Sequence, residues 1–210
     1  MLRIALLGCG RIGVMHAANI ASHKRAELAG VFDIRAEAAQ AVAAAEGVRT
    51  FASPEEIFAD KAVDAVLIAT STPTHADLLE QAVAAGKPVL CEKPIDLSLD
   101  RVNRAAARIA GSSVPVMLGF VRRFDPGHRA CRTAIKDGSI GDLHQVVVTS
   151  RDPGLAPVGY LKESGGIFRD MTIHDFDMAR FLLGEEVETA QAAASVLTDK
   201  TIGELGDFDR

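Results

Sequence analysis

Two kinds of segment alternate along the first 120 residues of the chain. Short runs of apolar residues, many of them β-branched, are each followed by a longer alanine-rich stretch. Apolar runs without polar alternation are typical of strands that are covered on both faces of a sheet. The pattern predicts strands at Arg3–Leu7, Leu28–Phe32, Val63–Ala69, Pro88–Cys91 and Val114–Leu118, and helices at Ile12–Ser22, Arg35–Glu46, Thr74–Ala85 and Ser98–Ala110. Strand–helix–strand order with right-handed crossovers predicts an α/β fold, a doubly wound parallel sheet.

The pattern changes after about Phe120. The later segments predict, in order, a helix at His128–Lys136, a strand at Leu143–Ser150, a Gly- and Pro-rich loop at Arg151–Gly166, a helix at Ile167–Leu183 and a strand at Thr189–Thr198. Two strands are too few for a stable sheet, so either this region borrows a partner or the chain as given stops early. We expect two domains, 1–120 and 121–210, the second an incomplete α+β domain.

Composition and charge exclude several classes of protein. The 210 residues are 48% hydrophobic and carry a net charge of −5, so nothing attracts nucleic acid or an anionic membrane. The three cysteines, Cys9, Cys91 and Cys131, lack paired or zinc-binding spacing, which favours a reducing compartment and no metal. No apolar run is long enough to span a membrane, and Ile4–Leu7 is too short for a signal peptide. We therefore expect a cytoplasmic protein.

A glycine-rich motif follows the first predicted strand and opens the first predicted helix. Its glycines are Gly8, Gly10 and Gly13, and Arg11 and Ile12 lie between the last two. In that context the first glycine permits a tight turn, the second lets the backbone approach a pyrophosphate, and the third allows close helix–strand packing. The helix N-terminus adds free N–H donors and the positive end of its dipole. The motif predicts a dinucleotide site in a Rossmann domain.

An acidic residue stands where such a site needs one. Asp33 ends the second predicted strand, 20 residues after Gly13, where a carboxylate can accept hydrogen bonds from the adenosine ribose. The alternative is an ordinary helix N-cap. A carboxylate repels a 2′-phosphate, which favours NAD over NADP, although Arg35 is placed to pair with a phosphate. Further cofactor contacts are expected from the ends of later strands, at Thr70, Ser71, Thr72, His75, Glu92 and Lys93. His75 has the alternative of simply starting a helix.

Two groups of residues can move protons beside a nicotinamide cofactor. Lys93 follows the strand Pro88–Cys91, at the sheet edge where ligands bind, and can stabilise negative charge on a reacting oxygen. The alternative is a solvated lysine before Pro94. Asp170 and His174 are spaced i,i+4, which places them on one face of a helix, where the carboxylate can orient the imidazole. The alternative is an amphipathic helix with a polar face.

Taken together, these motifs resemble one family. Gly8–Gly13, Asp33, the Glu-Lys-Pro sequence around Lys93 and the segment Gly165–Asp177 look like the glucose–fructose oxidoreductase, inositol dehydrogenase and rhizopine catabolism superfamily. Within it, Gly165–Leu183 is most similar to bacterial inositol 2-dehydrogenases. The resemblance implies NAD as cofactor, a small polyol or sugar as substrate, and homo-oligomers where the second sheet is complete.

The resemblance also implies residue roles and a reaction. Lys93 would bind and polarise the reacting hydroxyl, and Asp170 and His174 would form the acid/base pair. The reaction would be NAD-dependent oxidation of myo-inositol to scyllo-inosose, with Arg122 and Asp152 among the substrate contacts. The alternatives are a dehydrogenase of the same superfamily that acts on another sugar or polyol, and a truncated, non-catalytic NAD-binding protein.

Overall fold

The computed structural model describes residues 1–155 and 157–210, which divide into two compact units, Met1–Gly119 and Phe120–Arg210. In unit 1 the described strands are β1 (Leu2–Leu7), β2 (Ala26–Phe32), β3 (Ala65–Ile68), β4 (Val89–Cys91) and β5 (Val116–Leu118). Its helices are α1 (Arg11–Ser22), α2 (Ala36–Glu46), α3 (Pro54–Ala59), α4 (His75–Ala84) and α5 (Leu99–Ile109). The strands lie close to those predicted from the apolar runs.

Unit 1 is built on a parallel sheet with the strand order β2-β1-β3-β4-β5. Beyond β2, Thr50 makes one further parallel bridge to Val31. Counted as a short strand, this bridge completes the order 3-2-1-4-5-6 of a Rossmann sheet. All four residues of β3 are buried, as expected of a central parallel strand covered on both faces. The predicted doubly wound α/β fold is therefore confirmed.

Two apolar clusters cover the two faces of this sheet. One joins Leu6 and Leu67 to α1 and α2 through Ala17, Ile20 and Val42. The other lies on the opposite face and includes Leu7, Ile57, Val66, Ile68 and Leu79. Successive residues of one strand, such as Leu6 and Leu7, thus enter different clusters, as the pleat requires. The carboxyl ends of all five strands meet at one edge, where the candidate site lies.

Local sequence sets several helix boundaries. The Ser53 hydroxyl accepts a hydrogen bond from the Glu56 N–H, and Pro54 takes the first position of α3. Helix α4 ends just before Gly86, which adopts φ +73°, a left-handed conformation that glycine adopts without strain. No helix in the described part of the chain is long and apolar enough to cross a membrane.

The regular elements in the described part of unit 2 are all helical, which differs from the prediction. It contains α6 (Pro126–Lys136), α7 (Val158–Ser164), α8 (Ile173–Leu183) and α9 (Lys200–Glu204), with a 3₁₀ turn at Val121–Phe124 and a π turn at Ile167–Met171. The predicted strands Leu143–Ser150 and Thr189–Thr198 are wrong, because neither segment pairs into a sheet there. The loop predicted at Arg151–Gly166 instead contains α7, while Ala156 lies outside the described residues.

Candidate functional site

The three glycines after β1 occupy positions with very different space around them. Gly8 has φ +98°, and a Cβ there would lie 2.4 Å from the Ala69 carbonyl oxygen. A Cβ on Gly13 would lie 1.9 Å from the Gly8 carbonyl oxygen, so only glycine lets α1 pack this closely on the turn. Gly10 precedes α1, and a Cβ there would meet nothing within 4 Å. The second glycine therefore borders open space, which fits a backbone that approaches a pyrophosphate.

The two residues between Gly10 and Gly13 face different surroundings. Arg11 is exposed at the first position of α1, whereas Ile12 is half-buried against the apolar cluster beneath the helix. Ile12 can therefore bind a phosphate only through its main chain. Its N–H is one of the donors that a helix leaves unpaired at its N-terminus.

Asp33 is bound to the glycine motif by its own hydrogen bonds. Its Oδ2 accepts from the Cys9 N–H at 2.7 Å, and its Oδ1 accepts from the Arg35 N–H at 2.9 Å. Helix α2 begins only at Ala36 and has no side-chain cap, so Asp33 is not its N-cap. Each carboxylate oxygen keeps a further lone pair for a ribose hydroxyl. The Arg35 side chain is 62% exposed beside it, with Nε 3.6 Å from Oδ1.

The loop after β3 is held by short-range hydrogen bonds. The hydroxyls of Thr70 and Thr74 are 2.7 Å apart, and Ser71 leads into a 3₁₀ turn that begins at Thr72. His75 begins α4 and is only 2% exposed. Its Nδ1 lies 2.8 Å from the Pro94 carbonyl oxygen and its Nε2 lies 3.0 Å from that of Thr70. The ring is thus buried between two backbone segments of the sheet edge.

The residues after β4 form the second part of the edge. Glu92 Oε1 lies 2.7 Å from His16 Nε2, and Oε2 accepts from the Lys93 N–H at 3.3 Å. Burial acts to raise the pKa of Glu92, but the hydrogen bond and charge of His16, helped by Lys93, bring it below its usual value. A Cβ on Gly119 would lie 2.7 Å from Oε2, so a larger residue there would require the Glu92 side chain to shift. The Lys93–Pro94 peptide bond is cis.

The two buried cysteines near this edge are poor nucleophiles. Burial, with the nearby charge of Asp33, raises the pKa of the Cys9 thiol to about 11. Burial and the charge of Glu92 raise that of Cys91 to about 12. Both thiols are therefore protonated at neutral pH, and only the thiolate is reactive.

In unit 2, Asp170 and His174 do not share one continuous α-helix. Asp170 lies in the π turn Ile167–Met171, and His174 lies in the first turn of α8, with Thr172 as the junction. The Thr172 N–H reaches back five residues to the Ile167 carbonyl oxygen at 2.8 Å. The assumption of i,i+4 helical spacing was therefore wrong for this pair. The Phe120 ring meets the His174 ring edge-on, with centroids 6.4 Å apart.

Two consecutive arginines bind two acids of α8. Arg122 donates to Asp175 at 2.6 Å and to the Ser150 hydroxyl at 2.9 Å. Arg123 donates through Nε and Nη2 to Asp177, at 2.8 and 2.5 Å. Arg122, which the resemblance implies as a substrate contact, thus forms an ion pair within unit 2, as does Arg123. The predicted substrate residue Asp152 is exposed, in a segment without regular structure.

Sequence reasoning assigned no role to His16, Gly119 or Ser150. A signal for His16 was present, because it follows Gly13 by three residues and so lies one helical turn along α1. Nothing in the sequence marked the packing of Gly119 on Glu92 or the contact of Ser150 with Arg122, since both contacts join residues more than 25 positions apart.

The sheet order, the glycine geometry and the placement of Asp33 define a dinucleotide-binding Rossmann protein. Two family models agree with this class: the oxidoreductase family with an NAD-binding Rossmann fold matches residues 2–120, and the GFO/IDH/MocA C-terminal domain matches residues 128–208. The chain belongs to the GFO/IDH/MocA oxidoreductase family.

Individual relatives show which members of this family the chain is similar to. The chain is 52% identical over 210 residues to inositol 2-dehydrogenase of Rhizobium meliloti, covering 99% of this chain and 63% of that protein. A crystal structure of a myo-inositol dehydrogenase from Corynebacterium glutamicum is 47% identical, with TM-score 0.94 over 100% of this chain and 62% of the other. A scyllo-inositol dehydrogenase from Lactobacillus casei with bound NAD(H) and scyllo-inositol is 27% identical, with TM-score 0.84, over 100% and 64%. The chain therefore spans less than two thirds of these relatives.

Proposed function

We propose that the protein catalyses the NAD-dependent oxidation of myo-inositol to scyllo-inosose. The observation that carries the proposal is the 52% identity to an inositol 2-dehydrogenase, which extends along 99% of the chain and so includes both units. The cradle of Gly8, Gly10 and Gly13 and the carboxylate of Asp33 suit NAD. Bound NAD supplies the hydride acceptor.

The protein's own residues would manage the proton and the charge on the substrate oxygen. His174 accepts the proton of the axial 2-hydroxyl as general base, and Asp170 supports the imidazole. Lys93 donates to the same oxygen and stabilises the negative charge that develops there. Arg122 and Asp152 contact the other hydroxyls of the ring. In this scheme Arg122 acts while it is held by Asp175 and Ser150, which limits its movement.

The first test measures NADH formation at alkaline pH with purified protein, NAD and myo-inositol. Removal of a general base costs about a hundredfold to ten-thousandfold in rate. We therefore expect His174→Ala to abolish measurable turnover. The matched control is His144→Ala, which changes an exposed histidine of the same unit and should leave the rate unchanged. A rate for His174→Ala within about tenfold of the wild type would refute the assignment of the base.

A substrate panel distinguishes the alternatives. scyllo-Inositol differs from myo-inositol only at carbon 2 and yields the same ketone, so the initial rates with the two substrates decide between them. A higher rate with scyllo-inositol or with a pyranose would assign a related polyol dehydrogenase. NADH binding without turnover on any polyol would favour a non-catalytic NAD-binding protein. Fluorescence titration with NADH measures that binding independently of the reaction.

A further inference from the structure

Lys93 is flanked by two residues that are each contacted by a histidine. On its N-terminal side, the Glu92 carboxylate meets Nε2 of His16 at 2.7 Å. On its C-terminal side, the Pro94 carbonyl oxygen meets Nδ1 of His75 at 2.8 Å. The two imidazoles come from different helices, α1 and α4. They therefore approach the three-residue segment from separate parts of unit 1.

The contact with His16 is enclosed. The side chains of His16 and Glu92 are only 12% and 14% exposed, so little water competes for their hydrogen bond. The other carboxylate oxygen of Glu92 accepts the Lys93 N–H, and Gly119 packs against it so closely that a Cβ there would displace the carboxylate. The carboxylate thus connects the imidazole to the main chain of Lys93. Its position is fixed from three directions.

The contact with His75 is buried more deeply. The residue is 2% exposed, and its Nε2 faces the Thr70 carbonyl oxygen at 3.0 Å. Carbonyl oxygens only accept hydrogen bonds and a neutral imidazole carries one N–H, so the ring donates to one of the two carbonyls and packs against the other. It thereby lies between the end of β3, at Thr70, and the segment after β4, at Pro94. Neither nitrogen faces open space, which argues for a structural use of the ring at this edge.

We propose that His16 and His75 are positioning residues that hold Glu92 and Pro94 and thereby fix Lys93 for its reaction. We call this arrangement the histidine clamp. His16 lies on the helix that begins at the glycine cradle, so one rigid element would align both the dinucleotide and the lysine. The role of Lys93 rests on the proposed function, whereas the clamp itself is measurable without turnover.

Reciprocal substitutions test the clamp atom by atom. The amide nitrogen of asparagine reaches the position of histidine Nδ1, and that of glutamine reaches the position of Nε2. At position 16 the contact uses Nε2, so His16→Gln should preserve it and His16→Asn should lose it. At position 75 the contact with Pro94 uses Nδ1, so His75→Asn should preserve it and His75→Gln should lose it. A general packing defect would not make glutamine the tolerated residue at position 16 and asparagine the tolerated residue at position 75.

Residue-resolved amide hydrogen exchange by NMR is the primary measurement, with the Lys93 N–H as the probe. A hydrogen bond to a charged group contributes enough that exchange in His16→Asn should be roughly ten- to hundredfold faster than in the wild type. The neutral contact is weaker, so His75→Gln should exchange about two- to tenfold faster. The rescuing variants should stay within about twofold. The buried Leu6 N–H in β1 reports global unfolding, so its exchange separates a general loss of stability from local opening at Lys93.

Turnover of myo-inositol is the second measurement. The two disruptive variants should lower kcat about tenfold, with less effect on KM for NAD, and the rescuing variants should recover it. The control His23→Asn changes an exposed histidine just after α1 and should have no effect. If the wild type turns over no polyol, the proposed function fails, while the exchange data still decide the clamp.

Two results would overturn the proposal. One is an equal effect of asparagine and glutamine at position 16, whether both are mild or both severe. The other is fast exchange of the Lys93 N–H in the wild type, which would show that the segment is not held. Should both His75 variants fail to fold, the His16 pair alone decides, because that side chain is less deeply buried.

Discussion

Two glycines of the same motif should respond differently to substitution by alanine: Gly13→Ala should lower the stability of the fold, and Gly10→Ala should lower the affinity for NADH. At Gly13 the new Cβ would lie 1.9 Å from the Gly8 carbonyl oxygen, so the helix or the turn must move. Overpacking of this kind costs up to about 3 kcal/mol, and a contact between backbone atoms leaves little room for relief. For a unit of this size the expected fall in Tm is on the order of 10 °C.

Gly10→Ala should leave folding nearly unchanged. Its φ of −76° suits any residue, and a Cβ would meet nothing within 4 Å. The change in unfolding free energy should be within about 0.5 kcal/mol, because the weaker N-cap is offset by the lower entropy of the unfolded chain. The methyl would instead enter the space that a pyrophosphate needs. We expect NADH affinity to fall at least about tenfold, or ~1.4 kcal/mol.

Thermal unfolding and NADH fluorescence titration on the same samples separate the two effects. Gly13→Ala should lose stability, and Gly10→Ala should lose binding while it keeps its Tm. Gly111→Ala is a suitable control, because Gly111 has no left-handed φ, has open space around its Cβ position and precedes β5, away from the carboxyl edge of the sheet. If Gly10→Ala binds NADH as tightly as the wild type, the assignment of the cradle is wrong.

Three further predictions concern charge. Asp33→Asn removes the charge but keeps an acceptor for the Cys9 N–H, so the affinity for NADPH relative to NADH should rise about tenfold in paired titrations. The pKa of Glu92 is lower in the folded protein than in the unfolded chain, where it is about 4.3, so the ionised carboxylate stabilises the fold above that pH. As pH falls below that value this stabilisation is lost, and the difference in Tm between the wild type and Glu92→Gln should shrink. Arg123→Met leaves the buried Asp177 carboxylate unpaired and should cost about 2 kcal/mol by urea unfolding, partly restored by adding Asp177→Leu.

Each of these three predictions has an outcome that would contradict it. An unchanged preference for NADH in Asp33→Asn would show that another group excludes the 2′-phosphate. A Tm difference that persists at low pH would mean that Glu92 acts by packing and not by charge. If the double variant at positions 123 and 177 is no more stable than Arg123→Met, the unpaired carboxylate is not the source of the loss.

Much of unit 1 could be predicted because its signals are local. Buried parallel strands leave continuous apolar runs, such as Val63–Ala69, and the glycine motif marks the turn after β1. Asp33 was found by its distance from Gly13 along the chain. The sequence singled out His75 and Glu92 as cofactor contacts but did not reveal the contact of His16 with Glu92, because the two residues are 76 positions apart.

Unit 2 was harder to predict for a physical reason. A strand is stable only beside a partner, and the alternation in Leu143–Ser150 shows which face is apolar but not whether a partner is present. The π turn before α8 was equally hidden, since a single extra residue in one helical turn does not disturb the hydrophobic pattern enough to be seen. Helix α8 itself was predicted correctly up to its left-handed end at Gly184.

The two hydrogen bonds to the Asp33 carboxylate have a consequence for the choice of cofactor. An exposed aspartate can rotate away from an intruding 2′-phosphate, but here rotation would strip the Cys9 and Arg35 N–H groups of their acceptor. The residue is therefore preorganised, and under the proposed function the ribose of NAD would gain its hydrogen bond to Asp33 without the usual cost of about 0.5–1.5 kcal/mol for ordering a side chain. Redesign toward NADP must accordingly replace the acceptor as well as the charge, so a cation added nearby would not be sufficient.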